Sequence, residues 1–348
     1  MIRWGFLGAG FVATQALAPA VHAASGASLQ AVAARSRDRA AALGPVTAYD
    51  DYAAVLADPL VDAVYISLTN EQHLPWAVAA MRAGKAVLCE KPLALTAAEV
   101  LELTAVSAQT GQLLVEASWY RWHPRVLLAQ ATLAQIGPVQ HVCAGFTFAG
   151  ELAGNYRLDP QRGGGALYDV GCYAVSACLW AVGRGLPDAV TAQAVIGPSG
   201  VDLATQLLLD WDGATAGGVT AGGVTAGGVT AGGVTAGGVT AEVQTGIDRE
   251  QGQWLVITGA EGVLELRDAP YTAWKNDVTQ LWISDGRSTR RVGVPATDAY
   301  QLMVENISSV LAGGAGWVLP LAESSQTAAV LDAGFASLRQ DGVTVCLS

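Results

Sequence analysis

From its second residue the chain alternates short apolar runs with alanine-rich stretches, and the first apolar run ends in a glycine turn. Ile2–Leu7 reads as a buried strand running directly into Gly8-Ala9-Gly10-Phe11-Val12-Ala13, which opens a helix. Further strand candidates are Leu29–Ala34, Ala63–Leu68, Ala86–Cys89 and Leu113–Glu116, and the helices between them centre on Thr14–His22, Asp38–Leu43, Tyr52–Leu56, Leu74–Arg82 and Ala97–Thr110. Repeated βα units imply a parallel sheet with right-handed crossovers, covered by helices on both faces. The expectation is an α/β chain whose residues 1–122 form a Rossmann-type dinucleotide-binding domain. Met1-Ile2-Arg3 and the apolar stretch Trp4–Ala20 also imitate a secretory signal, but a strand feeding a glycine turn accounts for the same residues in more detail.

At 348 residues the chain exceeds what one hydrophobic core usually serves, so a second domain is expected over 123–320. After a helix at Pro124–Ile136 the pattern shifts to longer strands: Val139–Phe148, Ala189–Ile196, Thr205–Trp211, Trp254–Thr258, Gly262–Arg267, Gln280–Ser284 and Arg290–Val294. Asp212-Gly213, Ala260-Glu261-Gly262 and Asp285-Gly286 are turn signals between neighbours. These features predict an α+β domain with a large open, mostly antiparallel sheet. Two late helices, Asp298–Leu311 and Ala322–Arg339, close the chain and are expected to pack against the first domain or the seam between the domains, with 321–348 assigned to the seam.

Inside this region Ala-Gly-Gly-Val-Thr recurs in five perfect copies from Ala216 to Thr240. Strand side chains alternate with period two, so a five-residue period reverses their facing at each copy and one long half-buried strand fits poorly. A small meander of Val-Thr-Ala triplets and a flexible excursion are both compatible with it.

Composition narrows the function classes. Hydrophobic residues at 51% against charged residues at 14% exclude disorder, and a net charge of -11 repels nucleic acid and anionic membrane surfaces. No apolar run reaches the ~18 to 20 residues of a membrane span. The five cysteines form no C-x-x-C pair, which points to buried free thiols in a reducing cytoplasm. Four histidines far apart in sequence give no metal-ligand spacing, and no metal is expected.

The first chemical motif is Gly8-x-Gly10-x-x-Ala13. Gly8 permits the turn, Gly10 lets the backbone approach a pyrophosphate, and Ala13 allows close helix–strand packing. The amides of Phe11 and Val12 begin the helix N-terminus that faces the phosphates. At the end of the second strand, where an acid would bind a ribose 2′-hydroxyl, stand Arg35, Ser36 and Arg37. Two guanidinium groups and a hydroxyl suit a 2′-phosphate, so the cofactor expected is NADP rather than NAD; the alternative is a solvated helix start with Ser36 as its N-cap. Thr69-Asn70-Glu71-Gln72-His73 and Cys89-Glu90-Lys91-Pro92 follow later strands at the end of the sheet where ligands bind.

At this point the sequence closely resembles the glucose-fructose oxidoreductase, inositol dehydrogenase and rhizopine-catabolism (Gfo/Idh/MocA) superfamily. Glu90-Lys91-Pro92 after the glycine motif is similar to its hallmark, Asn70 and His73 to its Asn-x-x-His cofactor loop, and Glu116-Ala117-Ser118-Trp119-Tyr120-Arg121-Trp122-His123-Pro124 to its linker into the second domain. Asn155–Pro160 and Gly163–Tyr173 resemble the segment carrying the substrate-side residues. The residue chemistry and the resemblance together give an expected cofactor site of Gly8, Gly10, Phe11, Val12, Arg35, Ser36, Arg37, Thr69, Asn70, His73, Glu90 and Lys91. Members like inositol dehydrogenase have D-x-G-x-H where this chain has Asp169-x-Gly171-x-Tyr173, which resembles the branch with glucose-fructose oxidoreductase, dimeric dihydrodiol dehydrogenase and NADP-dependent D-xylose dehydrogenase.

Oxidising a carbinol with a nicotinamide needs a group to take the hydroxyl proton. A phenol of pKa about 10 is a weak base at neutral pH, and a nearby ammonium favours its ionised form. Tyr173 is therefore the candidate acid/base, with Lys91 assisting and Asp169 orienting Lys91 or binding a sugar hydroxyl. Arg121, His123, Asn155 and Arg157 could bind the remaining hydroxyls. Against these stand an ordinary core tyrosine at a helix start and, for Arg121, His123 and Arg157, salt bridges at the domain seam.

The expectation is an NADP-dependent oxidoreductase of an aldose, polyol or cyclic diol. A homodimer, or a dimer of dimers, through the open sheet face is also expected. The rivals are a superfamily glycosidase with a retained NAD and a non-catalytic sugar and dinucleotide sensor; an intact Glu90-Lys91-Pro92 argues against the sensor.

Overall fold

The computed structural model describes residues 1–150, 153–212 and 238–347. They divide into two compact units: the first comprises 1–124, 274–276 and 297–325, the second 125–273, 277–296 and 326–348.

In the first unit the strands are β1 (Ile2–Leu7), β2 (Ala27–Ala33), β3 (Thr47–Tyr49), β4 (Ala63–Ile66), β5 (Ala86–Cys89) and β6 (Leu114–Glu116). They form a parallel sheet in the order β3-β2-β1-β4-β5-β6. Strand order reverses between β1 and β4, so their carboxyl ends flank the crevice where such sheets bind ligands. β3 is absent from the expected strands, because three half-buried residues carry too short a pattern to read.

The expected boundary at 320 is corrected, because the helix Ala299–Leu311 belongs to the first unit. Ala299, Tyr300, Met303, Val304 and Ile307 recur at helical spacing and enter the same core as Trp4 and Phe6. Trp4 Nε1 donates to Ser308 Oγ at 3.1 Å, which satisfies a buried indole N–H.

The second unit holds β7 (Val139–Ala149), β8 (Ala189–Ile196), β9 (Asp202–Trp211), β10 (Val239–Gly246), β11 (Asp248–Gly259), β12 (Val263–Leu266), β13 (Thr279–Ser284), β14 (Thr289–Val294) and β15 (Val345–Cys346). Their order is β14-β13-β12-β11-β7-β10-β9-β8-β15, antiparallel except where β10 lies parallel to β7. One face, with Val142, Ala144, Leu207, Val243, Leu255 and Leu281, is buried, and β7, β10 and β11 pack on the helix Cys172–Val182. The other face is less apolar than expected, since Glu242, Gln206, Gln244 and Glu265 share it with Trp254, Val256 and Trp282.

Against the expectation that no segment reaches the length of a membrane span, the helical stretch Pro160–Val182 is long and apolar enough by composition, and 83% of its apolar window is buried within the protein. Most of the repeat lies outside the described residues; its last Val239-Thr240 opens β10, with Val239 paired to Trp211 of β9. All five cysteines are free thiols, and Cys346 is exposed rather than buried as expected.

Candidate active site

The dinucleotide loop is built as its residue types require. Gly8 has φ +106°, and a Cβ there would come within 2.3 Å of the Ser67 carbonyl oxygen. At Gly10 a Cβ would meet only Ser67 Oγ at 3.8 Å, so that side of the loop is open to an approaching ligand. The Ala13–Leu17 segment is a widened π turn, a local feature common at functional sites. Phe11 is 78% exposed on the loop. These features fit a pyrophosphate, which needs close backbone approach and helix-start amides.

Beyond β2, Arg35 is exposed, while Arg37 turns to Asp50 at 3.6 Å. Ser36 caps the next helix, its Oγ accepting from Arg39 N at 3.4 Å. Arg39, unremarked in the sequence, reaches back so that Nη2 donates to the Ala9 carbonyl at 3.1 Å inside the glycine loop. Its place in the short helix Arg37–Ala41, directly after the Ser36 cap, is a signal that could have found it.

The turn after β5 is held by buried polar groups, and several assignments change there. Lys91-Pro92 is a cis peptide bond. His73, expected to touch the cofactor, is fully buried: Nδ1 lies 2.8 Å from the Pro92 carbonyl and Nε2 3.2 Å from that of Leu68. It ties two loops together, and burial pushes its pKa down. Glu90 is buried and accepts from Tyr65 Oη at 2.7 Å, while Glu116 accepts from Leu93 N at 2.9 Å and Ser324 Oγ at 2.7 Å. Burial raises both carboxyl pKa values, and the charge of Lys91 opposes that rise in each, so the ammonium is near both acids. Asn70 is also buried, and the Thr69 hydroxyl donates to Glu71 at 2.8 Å.

Arg121, expected to bind substrate, is 2% exposed, ion-paired with Glu323 and set over the Trp317 ring. It belongs to the interior of the first unit. His123 is likewise buried at 3% exposure.

In the second unit the structure brings Asn155, Arg157, Asp169 and Tyr173 together. Asn155 Oδ1 accepts from Arg157 N at 3.1 Å, fixing the turn that aims Arg157. Arg157 donates from Nε to Asp169 at 2.6 Å and from Nη2 at 3.2 Å, a bidentate pair largely out of solvent. Asp169 is thus engaged by an arginine of its own unit, a partner the sequence reading did not name. A phenolate at Tyr173 would strengthen the Arg157 charge, which places the two groups within electrostatic reach.

Asp169 lies on a second π turn, Leu167–Gly171, whose start is gripped by a residue the sequence reading missed. Asp202 is 4% exposed; its Oδ2 accepts from Leu167 N at 2.8 Å and Thr205 Oγ at 2.7 Å. A Cβ on Gly165 (φ +112°) would come within 2.1 Å of Asp202 Oδ1, so glycine is required there. Burial pushes the Asp202 carboxyl up to about 6, against its hydrogen bonds. Tyr173, 6% exposed, opens the Cys172–Val182 helix among rings: Phe146 at 5.7 Å and Tyr271 at 6.0 Å between centroids.

Residues 2–118 match the model of the oxidoreductase family with an NAD-binding Rossmann fold, and residues 130–265 match the GFO/IDH/MocA C-terminal domain. The D-xylose 1-dehydrogenase (NADP(+)) 2 of Haloferax volcanii is 33% identical over 321 residues, spanning 90% of each chain. The trans-1,2-dihydrobenzene-1,2-diol dehydrogenase of Mus musculus is 34% identical over 229 residues, 62% of this chain and 67% of that one. A 3-ketoreductase from Actinomadura kijaniata, solved with NADP and TDP-benzene, superposes with TM-score 0.82 at 26% identity over 96% of this chain and 97% of its own. With both domains matched and a relative of this identity along nearly its whole length, the chain belongs to the GFO/IDH/MocA oxidoreductase family.

Proposed function

We propose that this protein is an NADP-dependent dehydrogenase or reductase acting on a hydroxyl of a sugar, a polyol or a cyclic diol, with an aldose oxidised at C1 as the leading substrate. The observation carrying the cofactor choice is the pair of arginines at the β2 end of the glycine loop: Arg35 exposed, Arg39 bonded into the loop, and no carboxylate where a ribose 2′-hydroxyl would need one. When bound, the nicotinamide supplies the two-electron chemistry. Tyr173 takes the proton from the substrate hydroxyl or returns it, and Lys91 assists by favouring the phenolate. Asp169 and Arg157, already neutralised by each other, present a fixed polar edge to hydroxyl groups. The names of the relatives, D-xylose and dihydrodiol dehydrogenases, support this substrate class.

The protein works as a homodimer, or a dimer of dimers, through the open sheet face bearing Trp254, Val256 and Trp282, with half-buried Gln and Glu side chains among them. Light scattering checks this, and a monomer at micromolar concentration would refute it.

For the reaction, the purified protein is given NADP or NAD with a panel of aldoses, polyols and trans-dihydrodiols while the NADPH absorbance band is followed. NADPH formation with an aldose or a dihydrodiol, and weaker activity with NAD, is expected. Cleavage of glycosides with a cofactor that is retained and undergoes no net change would replace this reading with a glycosidase.

A further inference from the structure

Arg125 is the first residue of the second unit, and its side chain is 1% exposed. Its guanidinium gathers three consecutive backbone carbonyls: Nη1 donates to Arg267 O at 2.8 Å and Asp268 O at 3.1 Å, and Nη2 to Ala269 O at 2.6 Å. Burying an arginine is costly, and here burial pushes its pKa down to about 10 despite the charges of Asp268 and Asp277. Such a group is retained when it holds something in place.

What it holds is a turn that local chemistry disfavours. Asp268 and Ala269 are consecutive non-glycine residues with φ 56° and 53°. Aspartate tolerates the left-handed region, but alanine there brings its Cβ too close to the following carbonyl oxygen. Pro270 follows, and a residue before proline is pushed toward extended backbone. Three carbonyl oxygens converging on one point also repel one another unless a cation sits between them. Strain of this kind persists where the surroundings over-determine the backbone, and it gathers near functional sites.

The turn delivers Tyr271. That residue is 1% exposed, its Oη donates to the Trp254 carbonyl at 3.0 Å, and its ring stacks on Phe146 at 5.9 Å and 16°. Phe146 and Tyr271 together wall the Tyr173 ring, at 5.7 and 6.0 Å.

We propose that Arg125 is a positioning residue for the reaction: by holding 267–269 in left-handed backbone it seats Tyr271, and Tyr271 with Phe146 fixes the orientation of the Tyr173 phenol. This rests on the assignment of Tyr173 as the acid/base.

The test uses the full chain with D-xylose and NADP as probes, and compares Arg125→Met, Arg125→Lys, Ala269→Gly and the double variant Arg125→Met/Ala269→Gly. Lysine keeps the charge but cannot span three carbonyls with a planar fork, so both Arg125 variants should lose roughly tenfold in kcat with NADP affinity unchanged. Ala269→Gly alone should stay within about twofold of wild type, because glycine adopts the same backbone without strain. In the double variant glycine makes the turn accessible without the guanidinium, and kcat should recover by roughly threefold or more over Arg125→Met. An arginine that only contributes to global stability would show no such rescue. A double variant no faster than Arg125→Met, or wild-type kcat in Arg125→Lys, overturns the proposal.

Amide hydrogen exchange at 268–272 reads the clamp without any substrate, and should quicken in both Arg125 variants and slow again in the double variant. Unchanged exchange overturns the proposal on its own. Wild-type turnover in Tyr173→Phe would instead strike the acid/base assignment and leave the exchange result to stand for the turn.

Discussion

Arg157 holds both carboxylate oxygens of Asp169, 2.6 Å from Nε and 3.2 Å from Nη2, with Asp169 at 7% side-chain exposure. Removing one member strands the other. Arg157→Met should destabilise the protein by about 3 kcal/mol, the lower end for a broken buried pair because Arg157 is partly exposed, and Arg157→Met/Asp169→Asn should recover part of that loss. Thermal unfolding of the two variants and Asp169→Asn closes the cycle; strictly additive effects would show that the pair does not act as a unit.

Cofactor discrimination should follow exposed Arg35 and Arg39, the second of which is bonded into the glycine loop. Arg35→Ala and Arg39→Ala are each expected to weaken NADP by about 1.5 to 3 kcal/mol, the scale of a charge-assisted hydrogen bond, with little change for NAD. Arg37→Ala should matter less, because Arg37 lies against Asp50. Titrating both cofactors against the three variants measures this, and equal NADP and NAD affinities in the wild type would refute it.

Lys91→Met and Tyr173→Phe should each lower turnover by roughly 10² to 10⁴, with NADP still bound, and together cost little more than either alone. In the oxidative direction the wild-type rate should rise with pH until the phenol ionises. A pH-rate profile in which Tyr173→Phe keeps that limb would move proton transfer elsewhere.

Asp202 gives stability a pH dependence of definite sign. Its folded pKa of about 6 lies above the ordinary aspartate value of 3.8, so the folded state prefers the protonated acid. The stability this contributes is full below pH about 4 and is lost as pH rises through about 6, a change of order 3 kcal/mol. Denaturant midpoints between pH 4 and 7 should therefore slope downward from this group. In Asp202→Asn, which keeps an oxygen for Leu167 N, that part of the slope should vanish.

Deleting Ala221–Thr240 should leave fold and turnover intact. Val239 pairs with Trp211, so the chain ends on either side of the repeat already meet in a hairpin. The deletion joins Thr220 to Ala241 and restores the same Val-Thr before it. Shortening the connection nearly fourfold should stabilise by about 1 kcal/mol through loop-closure entropy. A truncated chain that melts lower or changes oligomeric state would show that the copies contribute structure.

Local chemistry alone determined much of this protein. The β1 boundaries, the Ala97–Thr110 helix and the glycine loop are set by short-range apolar pattern and turn residues, as are Glu90-Lys91-Pro92 and the Asp169–Tyr173 spacing, which also carried the family resemblance. Tertiary structure decided what those patterns cannot encode. The pairing of β10 with β7 and the burial of His73 and Arg121 depend on residues distant along the chain. The same holds for Arg125, whose partners lie 142 to 144 positions away, and for Asp202, 35 positions from the amide it caps. A charged side chain reads identically in sequence whether it faces solvent, a ligand or a buried carbonyl. Which it faces is set by where the packed core leaves polar groups that must be paired, and that is known only once the chain has closed on itself.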